Sequence, residues 1–269
     1  MSALKYMMLF VLLQNVAYAG WVITEESVDR FGNRSINTTF VQNNVIRYET
    51  PTSITIIDCN SSLITIVFSQ YKVYWSGTSN EFKQSTMAIY DSQMESMVAG
   101  LSNRDRVELD SIYANLKEQM LDTVGVVYSS DMEVINTEDT LEIYGYNTTK
   151  YNVFIDTTLT ESIWYTTEIK PYSNVDVDFM ISSMKQLSLA PIVGSIAKTK
   201  EYLSLLKEGM IIKSIEYSPN ENELETTVTN IREIEINHDF FLPPKNYRKA
   251  ELIDILNISD ELNIYEKNR

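Results

Sequence analysis

The 269-residue chain has a single cysteine, Cys59, so no disulfide can form within it and a small cross-linked scaffold is excluded. Its stability has to come from a hydrophobic core, for which about 250 residues are ample. It has a single histidine, His238, whereas zinc sites draw several His or Cys ligands, so no metal site is expected. With Asp239 beside it, His238 reads as a satisfied or exposed strand-end residue rather than a general base. Cys59 has no activating histidine in sight and reads as a turn or buried cysteine, not a nucleophile. No glycine-rich phosphate loop, H-E-x-x-H or G-x-S-x-G occurs. Positive charge is scarce, with 22 Lys and Arg against 37 Asp and Glu and a net charge of −15. Nucleic acid and anionic lipid surfaces repel such a chain. These absences point away from an enzyme and from any cofactor.

Long apolar runs are also missing, apart from a short one at the start. Lys5, the apolar Met7–Leu13 and Ala17-Tyr18-Ala19 before Gly20 have the three parts of a secretory signal. Seven apolar residues are too few to cross a bilayer of about 30 Å. The expectation is cleavage after Ala19, leaving a periplasmic or secreted protein with no transmembrane segment. Asn33, Asn37, Asn60, Asn147 and Asn257 each begin an N-x-S/T triplet, as chance provides in an Asn- and Thr-rich chain.

What is present is mostly β-strand pattern. Trp21–Ser27, Ser35–Gln42, Val45–Glu49, Ser53–Asp58, Leu63–Phe68 and Tyr71–Trp75 are β-branched or aromatic and are divided by polar turns, which describes an antiparallel meander. Val124–Val127 and Met132–Ile135 are weaker candidates. Lys150–Asp156 and Glu161–Thr167 form the clearest hairpin, across Thr157–Thr160, with Tyr151, Val153 and Ile155 alternating on one face. Met210–Tyr217 and Leu224–Asn237 form a last long hairpin.

Between these groups lies a methionine-rich run with helical spacing. Met87, Tyr90, Met94, Met97, Val98 and Leu101 recur at three and four, and Leu109, Ile112, Tyr113, Leu116 and Met120 resume the pattern after a cap at Ser102 or Asn103. A helical insert over about 82–121 follows. Ser173 with Asp176 predicts another helix start, with Val177, Met180, Met184 and Leu187 as its stripe. Asp176 and Asp178 then serve the helix dipole rather than an acid–base pair. Ile196–Leu206 is a further helix, stopped by Gly209. The charged end after Tyr247, with an amphipathic turn at Leu252–Leu256, reads as a peripheral tail over 248–269.

The run from Asp139 through Tyr144-Gly145-Tyr146, Thr149-Lys150-Tyr151 and Val153, followed by Glu161, Ile163 and Trp164, resembles a signature of secreted Gram-negative proteins related to the LolA/LolB-like lipoprotein carriers. Arg47, Asp58, Tyr74, the Met-rich insert with Arg104 and Arg106, Val228–Ile234, Phe241-Leu242-Pro243 and Tyr247 are similar to other parts of that family. Thr157-Thr158 stand where the family has a turn glycine. The resemblance covers about Trp21 to Tyr247. It implies an α+β fold, a single domain over 20–247 with a strongly curved antiparallel sheet, an incomplete barrel, and helices on its concave face. It brings no catalytic residues.

Carriers of that architecture hold acyl chains between sheet and helices. Methionine is flexible and polarisable, so it adapts to guests of varied shape. Met87, Tyr90, Met94, Met97, Met120, Met180 and Met184, with Trp75 and Trp164 as a floor, are therefore the candidate ligand-binding residues. The same stripes also suit ordinary core packing. Two functions follow. One is a periplasmic binding protein for a hydrophobic ligand, such as a lipid or lipoprotein acyl chain. The other is an envelope protein–protein interaction or structural module with a filled core. A cavity beneath the helices separates them.

Overall fold

A computed structural model describes residues 19–98, 102, 105–107, 109–112, 114, 132–155, 157–187, 200–217 and 223–255. The expected signal segment, the 124–127 strand, Met120 and the end of the chain after 255 lie outside the described residues.

The first half is the expected meander: β1 (Gly20–Asp29), β2 (Arg34–Gln42), β3 (Val45–Glu49), β4 (Ile54–Asp58), β5 (Leu63–Phe68) and β6 (Val73–Gly77). Asn43 and Asn44, both at positive φ, make the β2–β3 turn, because asparagine tolerates that conformation and a two-residue hairpin needs it twice. Helix α1 (Ser79–Val98) follows, then β7 (Met132–Ile143), β8 (Tyr146–Ile155) and β9 (Thr158–Thr166). Tyr144 and Gly145, at φ 53° and 79°, turn β7 into β8 in the same way. Helices α2 (Val177–Leu187) and α3 (Lys200–Glu208) lead to β10 (Met210–Tyr217) and β11 (Glu223–Ile234), and β12 (Arg248–Lys249) comes last.

These strands form one sheet in the order β12-β6-β5-β4-β3-β2-β1-β11-β10-β9-β8-β7. The β1–β11 pair, with Gly20 opposite Ile234, joins the two halves of the chain. Every pairing is antiparallel except β12 on β6. The fold is α+β, and the sheet is unclosed, since β12 and β7 end it without pairing.

Helix packing shows that the sheet curls. Val177, Met180 and Ile181 of α2 pack with Val41, Ile46 and Ile57 from β2, β3 and β4. Tyr202 and Leu205 of α3 pack with Val153 and Ile163 from β8 and β9, and Leu206 belongs with both groups. A flat sheet at about 4.8 Å per strand would hold β4 and β8 roughly 34 Å apart. Two adjacent helices, with axes about 8–10 Å apart, reach both only over a bent sheet. The helices themselves are tied by Lys207 Nζ and Asp178 Oδ2 at 2.8 Å.

Local signals explain the helix ends. Thr78 caps α1, its backbone N–H donating to Glu81 Oε2 (2.6 Å) while Glu81 N–H donates to Thr78 Oγ1 (3.3 Å). This reciprocal capping box starts the helix well before Met87. Ser102 caps residues 105–107 likewise, accepting from Asp105 N–H. The cap of α2 is Asp176 itself, whose Oδ1 accepts from Phe179 N–H at 3.0 Å, rather than Ser173. Gly209 ends α3 for a steric reason, since a Cβ there would meet the Thr166 carbonyl and the Tyr165 ring.

The end of the chain corrects the peripheral reading. Arg248 N–H donates to Lys72 O (3.0 Å) and Ala250 N–H to Tyr74 O (2.9 Å). Ala250, Leu252 and Ile255 then complete a core cluster with Ile64, Val73, Trp75, Phe82 and Ile89. Charge density made 248–255 look solvated, but three apolar side chains cover the edge that β6 would otherwise leave open.

Candidate functional site

A cleft of about 610 Å³ lies between the helix-facing side of the sheet and helices α2 and α3. Its floor comes from strand alternation. Glu161, Ile163 and Tyr165 share one face of β9, and Glu161 stands opposite Glu216 of β10 and Val153 of β8. The next rungs pair Thr226 with Ser27, Ser27 with Ser35, Glu25 with Asn37, and Thr39 with Tyr48. Ser27 Oγ and Thr226 Oγ1 are hydrogen-bonded at 2.9 Å. All these residues except Val153, Ile163 and Tyr165 line the cleft, together with Ile46, Met210, Ile212, Leu224 and Val228 of the same strands, so hydroxyl, amide and carboxyl groups stand among aliphatic ones on its floor. Its roof is different: Met180, Ile181 and Met184 from α2, and Tyr202 and Leu206 from α3.

The floor carries three carboxyls, Glu25, Glu161 and Glu216. Glu161 is only 4% exposed, and its Oε2 is buried with no hydrogen-bond partner among the described residues. Burial, and then the neighbouring Glu216 carboxylate, push its pKa up to about 8. Burial also raises Glu216 and Glu25. The tyrosines around them shift the same way. Tyr202 rises by burial and then by the fields of Glu161, Glu216 and Glu25. Tyr172 rises by burial, Glu25 and Tyr48, and Tyr48 by burial and Glu25. Lys213 borders the cleft, yet its amine is engaged elsewhere, 2.8 Å from Glu225 Oε1 and 5.4 Å from the Trp164 ring centre.

Of the residues singled out by sequence, Met180 and Met184 line this cleft. Trp75 instead packs edge-to-face on Phe82, 5.3 Å between centroids, beneath α1. Met87 is buried on α1, Tyr90 and Met94 are half-buried, and Met97 is 57% exposed. None of these five borders the cleft, because α1 covers β5 and β6 at one end of the sheet. Trp164 points to the opposite face from Ile163, between the amines of Lys150 (5.3 Å) and Lys213 (5.4 Å). Met120 lies outside the described residues.

The three carboxyls are the candidate site residues that sequence reading missed. The available signal was Glu161, which alternates in phase with Ile163 and Tyr165 and so takes an inward position of the strand. Cys59 is half-buried, with its thiol pushed up to about 11 by burial and then by Asp176 and Asp58. No group of three or more His, Cys, Asp or Glu arranged to hold a metal occurs among the described residues. Nor is any helix among them long and apolar enough to cross a membrane.

No family model matches the chain, and no curated protein matches it. Solved structures do align with it. A structure of PNGF-II aligns over 89% of this chain and 32% of that one, at 12% identity and a TM-score of 0.39. An uncharacterised conserved protein from Thermus thermophilus aligns over 93% and 99%, at 7% identity and 0.42. A chain of the Pseudomonas aeruginosa MucA/MucB complex aligns over 86% and 58%, at 7% identity and 0.36. An outer membrane lipoprotein-sorting protein domain from Vibrio parahaemolyticus and a LolA superfamily protein from Nitrosomonas europaea align at 5% and 3% identity, with TM-scores of 0.28 and 0.24. This chain thus spans only a part of the PNGF-II and MucA/MucB chains. Scores this low carry no argument about what it binds or does.

Proposed function

We propose that this is an exported, non-enzymatic binding protein that holds an amphiphilic ligand between its curved sheet and helices α2 and α3. The observation that carries the reading is the cleft itself, about 610 Å³ in volume: a largely apolar roof over a floor where hydroxyl and carboxyl groups stand among aliphatic side chains, whereas the roof carries one polar group, the Tyr202 hydroxyl. Small-ligand sites fall at about 300–1,000 Å³ and pair apolar walls with a few placed polar groups. A purely hydrocarbon guest would leave the floor unsolvated and unpaired, which is costly. A lipid-like molecule with an apolar body and a polar end meets both sides.

The test is titration with the uncharged fluorophore N-phenyl-1-naphthylamine, together with native mass spectrometry of the protein purified from its own source. Saturable one-to-one fluorescence enhancement, lost in Leu206→Asp while the variant still melts cooperatively, supports the reading. No saturable enhancement and no co-purifying small molecule end it.

A second reading, an envelope protein–protein interaction module, is favoured by one observation. Met97, Val107 and Ile112 on the helical insert are exposed at 57%, 70% and 58%. Such a partner would meet the insert, far from the cleft floor, so the two readings separate by which variants weaken binding.

A further inference from the structure

Resting on the proposed binding function, we infer that the polar end of the ligand is a cation, an ammonium or guanidinium nitrogen, held by Glu161 and Glu216. Glu161 lines the cleft, and its buried Oε2 has no hydrogen-bond partner among the described residues. Buried polar atoms are nearly always paired, and one left open marks a missing partner. Glu216 directly opposite makes no hydrogen bond to that atom, and with both groups ionised neither can donate to the other. A nitrogen bearing several N–H groups supplies what the site lacks, both donors and positive charge.

The remaining surroundings agree. The titratable groups facing the cleft are Glu25 from β1, Tyr48 from β3, Glu161 from β9, Tyr172 before α2, Tyr202 from α3, and Lys213 and Glu216 from β10. The Lys213 amine is spent on Glu225, and α2 contributes only Met and Ile. An anionic headgroup beside the pair would therefore meet the carboxyls of Glu161 and Glu216 on adjacent strands with no counter-charge. A cation meets acceptors on both, with the apolar body lying under Met180 and Leu206.

A proton is coupled to this binding. In the empty cleft, burial and Glu216 hold Glu161 protonated up to about pH 8. A cation beside it favours the carboxylate, so binding near pH 7 displaces that proton. Alkylamines, like lysine, keep their charge to about pH 10, so amine affinity rises with pH across the intervening range.

The experiment uses dodecylamine and dodecanoate, equal in chain and opposite in charge, below their aggregation concentrations. Isothermal titration is run from pH 6 to 8.5 in buffers of low and high ionisation heat. The expected result is at least tenfold tighter binding of dodecylamine, rising at least tenfold with pH, with proton release on binding near pH 7. Glu161→Gln should weaken dodecylamine at least fivefold and abolish the proton release. Where Glu161→Gln does not melt cooperatively, Glu216→Gln takes its place, and its amine affinity should fall similarly. Equal or tighter dodecanoate binding, or amine affinity flat in pH, overturns the cation while leaving the amphiphile reading standing. Failure of both chains to bind, with no N-phenyl-1-naphthylamine signal, removes both.

Discussion

Glu161 and Glu216 are register partners on adjacent strands, two carboxyls facing the same cleft across one rung of the sheet. Like charges directly opposite one another destabilise a sheet, and burial adds to the penalty. The fold copes by keeping a proton on Glu161 to about pH 8.

That retention sets a pH dependence of stability. Unfolded, Glu161 ionises near the usual glutamate value of 4.5; folded, it does so near 8. Between these values the folded state binds the extra proton, so stability is greatest below pH 4.5 for this group and falls as pH rises to about 8. The raised Glu25 and Glu216 act in the same direction. Glu161→Gln should gain on the wild type by on the order of 4 kcal/mol between pH 5 and pH 8.5. Urea unfolding of both proteins at the two pH values checks this.

Arg47 should be hard to replace. Its Nη2 lies 2.6 Å from Glu49 Oε1, its Nη1 donates to Phe240 O at 2.7 Å, and its guanidinium covers the Phe240 ring at 4.2 Å. Arg47→Ala strands those partners and should cost about 3 kcal/mol or more. Arg47→Lys should recover only part of that, since an ammonium lacks the planar fork. Thermal unfolding ranks the three proteins.

Ile255→Ala should destabilise the protein by about 2–5 kcal/mol, as expected for a large buried aliphatic side chain. Ile255 is 2% exposed in the cluster with Trp75. Truncation after Tyr247 should do more, because it also removes the β12 bonds to Lys72 and Tyr74. Wild-type stability in either variant would return these residues to the status of a solvated tail.

Cys59→Ser should fold normally, within about 1 kcal/mol of the wild type, since the thiol is half-buried at the margin of the α2 cluster and its contact to Asp176 O is long, 3.8 Å. With its pKa near 11, the thiol should label slowly at pH 8, because the thiolate is the reactive form. Stopped reaction with a disulfide reagent, compared with free cysteine, reads this directly.

Much of the architecture was legible because its signals are local. Alternation marked β2–β5 and the β8–β9 region, Gly209 marked the end of α3, and methionine spacing marked α1. The site was not, for two reasons. Helical stripes say that a face is buried but not against what: α1 packs Phe82 and Ile89 on β5 and β6, while α2 roofs the cleft. Strand carboxylates are read as outward by default, and Glu161 reverses that only when its phase against Ile163 and Tyr165 is weighed. Trp164 carried the opposite error. Its size suggested the interior, but its phase places it on the lysine-bearing face. The 248–255 segment failed because its contacts are long-range, with β12 docking on a strand some 175 residues earlier, a separation that no local pattern reports.

The way the sheet ends decides how this chain behaves in a crowd. An open strand edge is a template on which another copy can polymerise. At one end the two-residue β12 occupies the β6 edge, too short to extend the ladder further. At the other, β7 breaks register between Asn136 and Thr140, with Glu138 at positive φ and Glu133 and Glu142 along the strand. A bulge and fixed negative charge both discourage edge-to-edge growth. The twelve-stranded sheet of the described residues is thus guarded at both edges, and loss of the β12 clasp would convert a folding defect into a fibre-forming one.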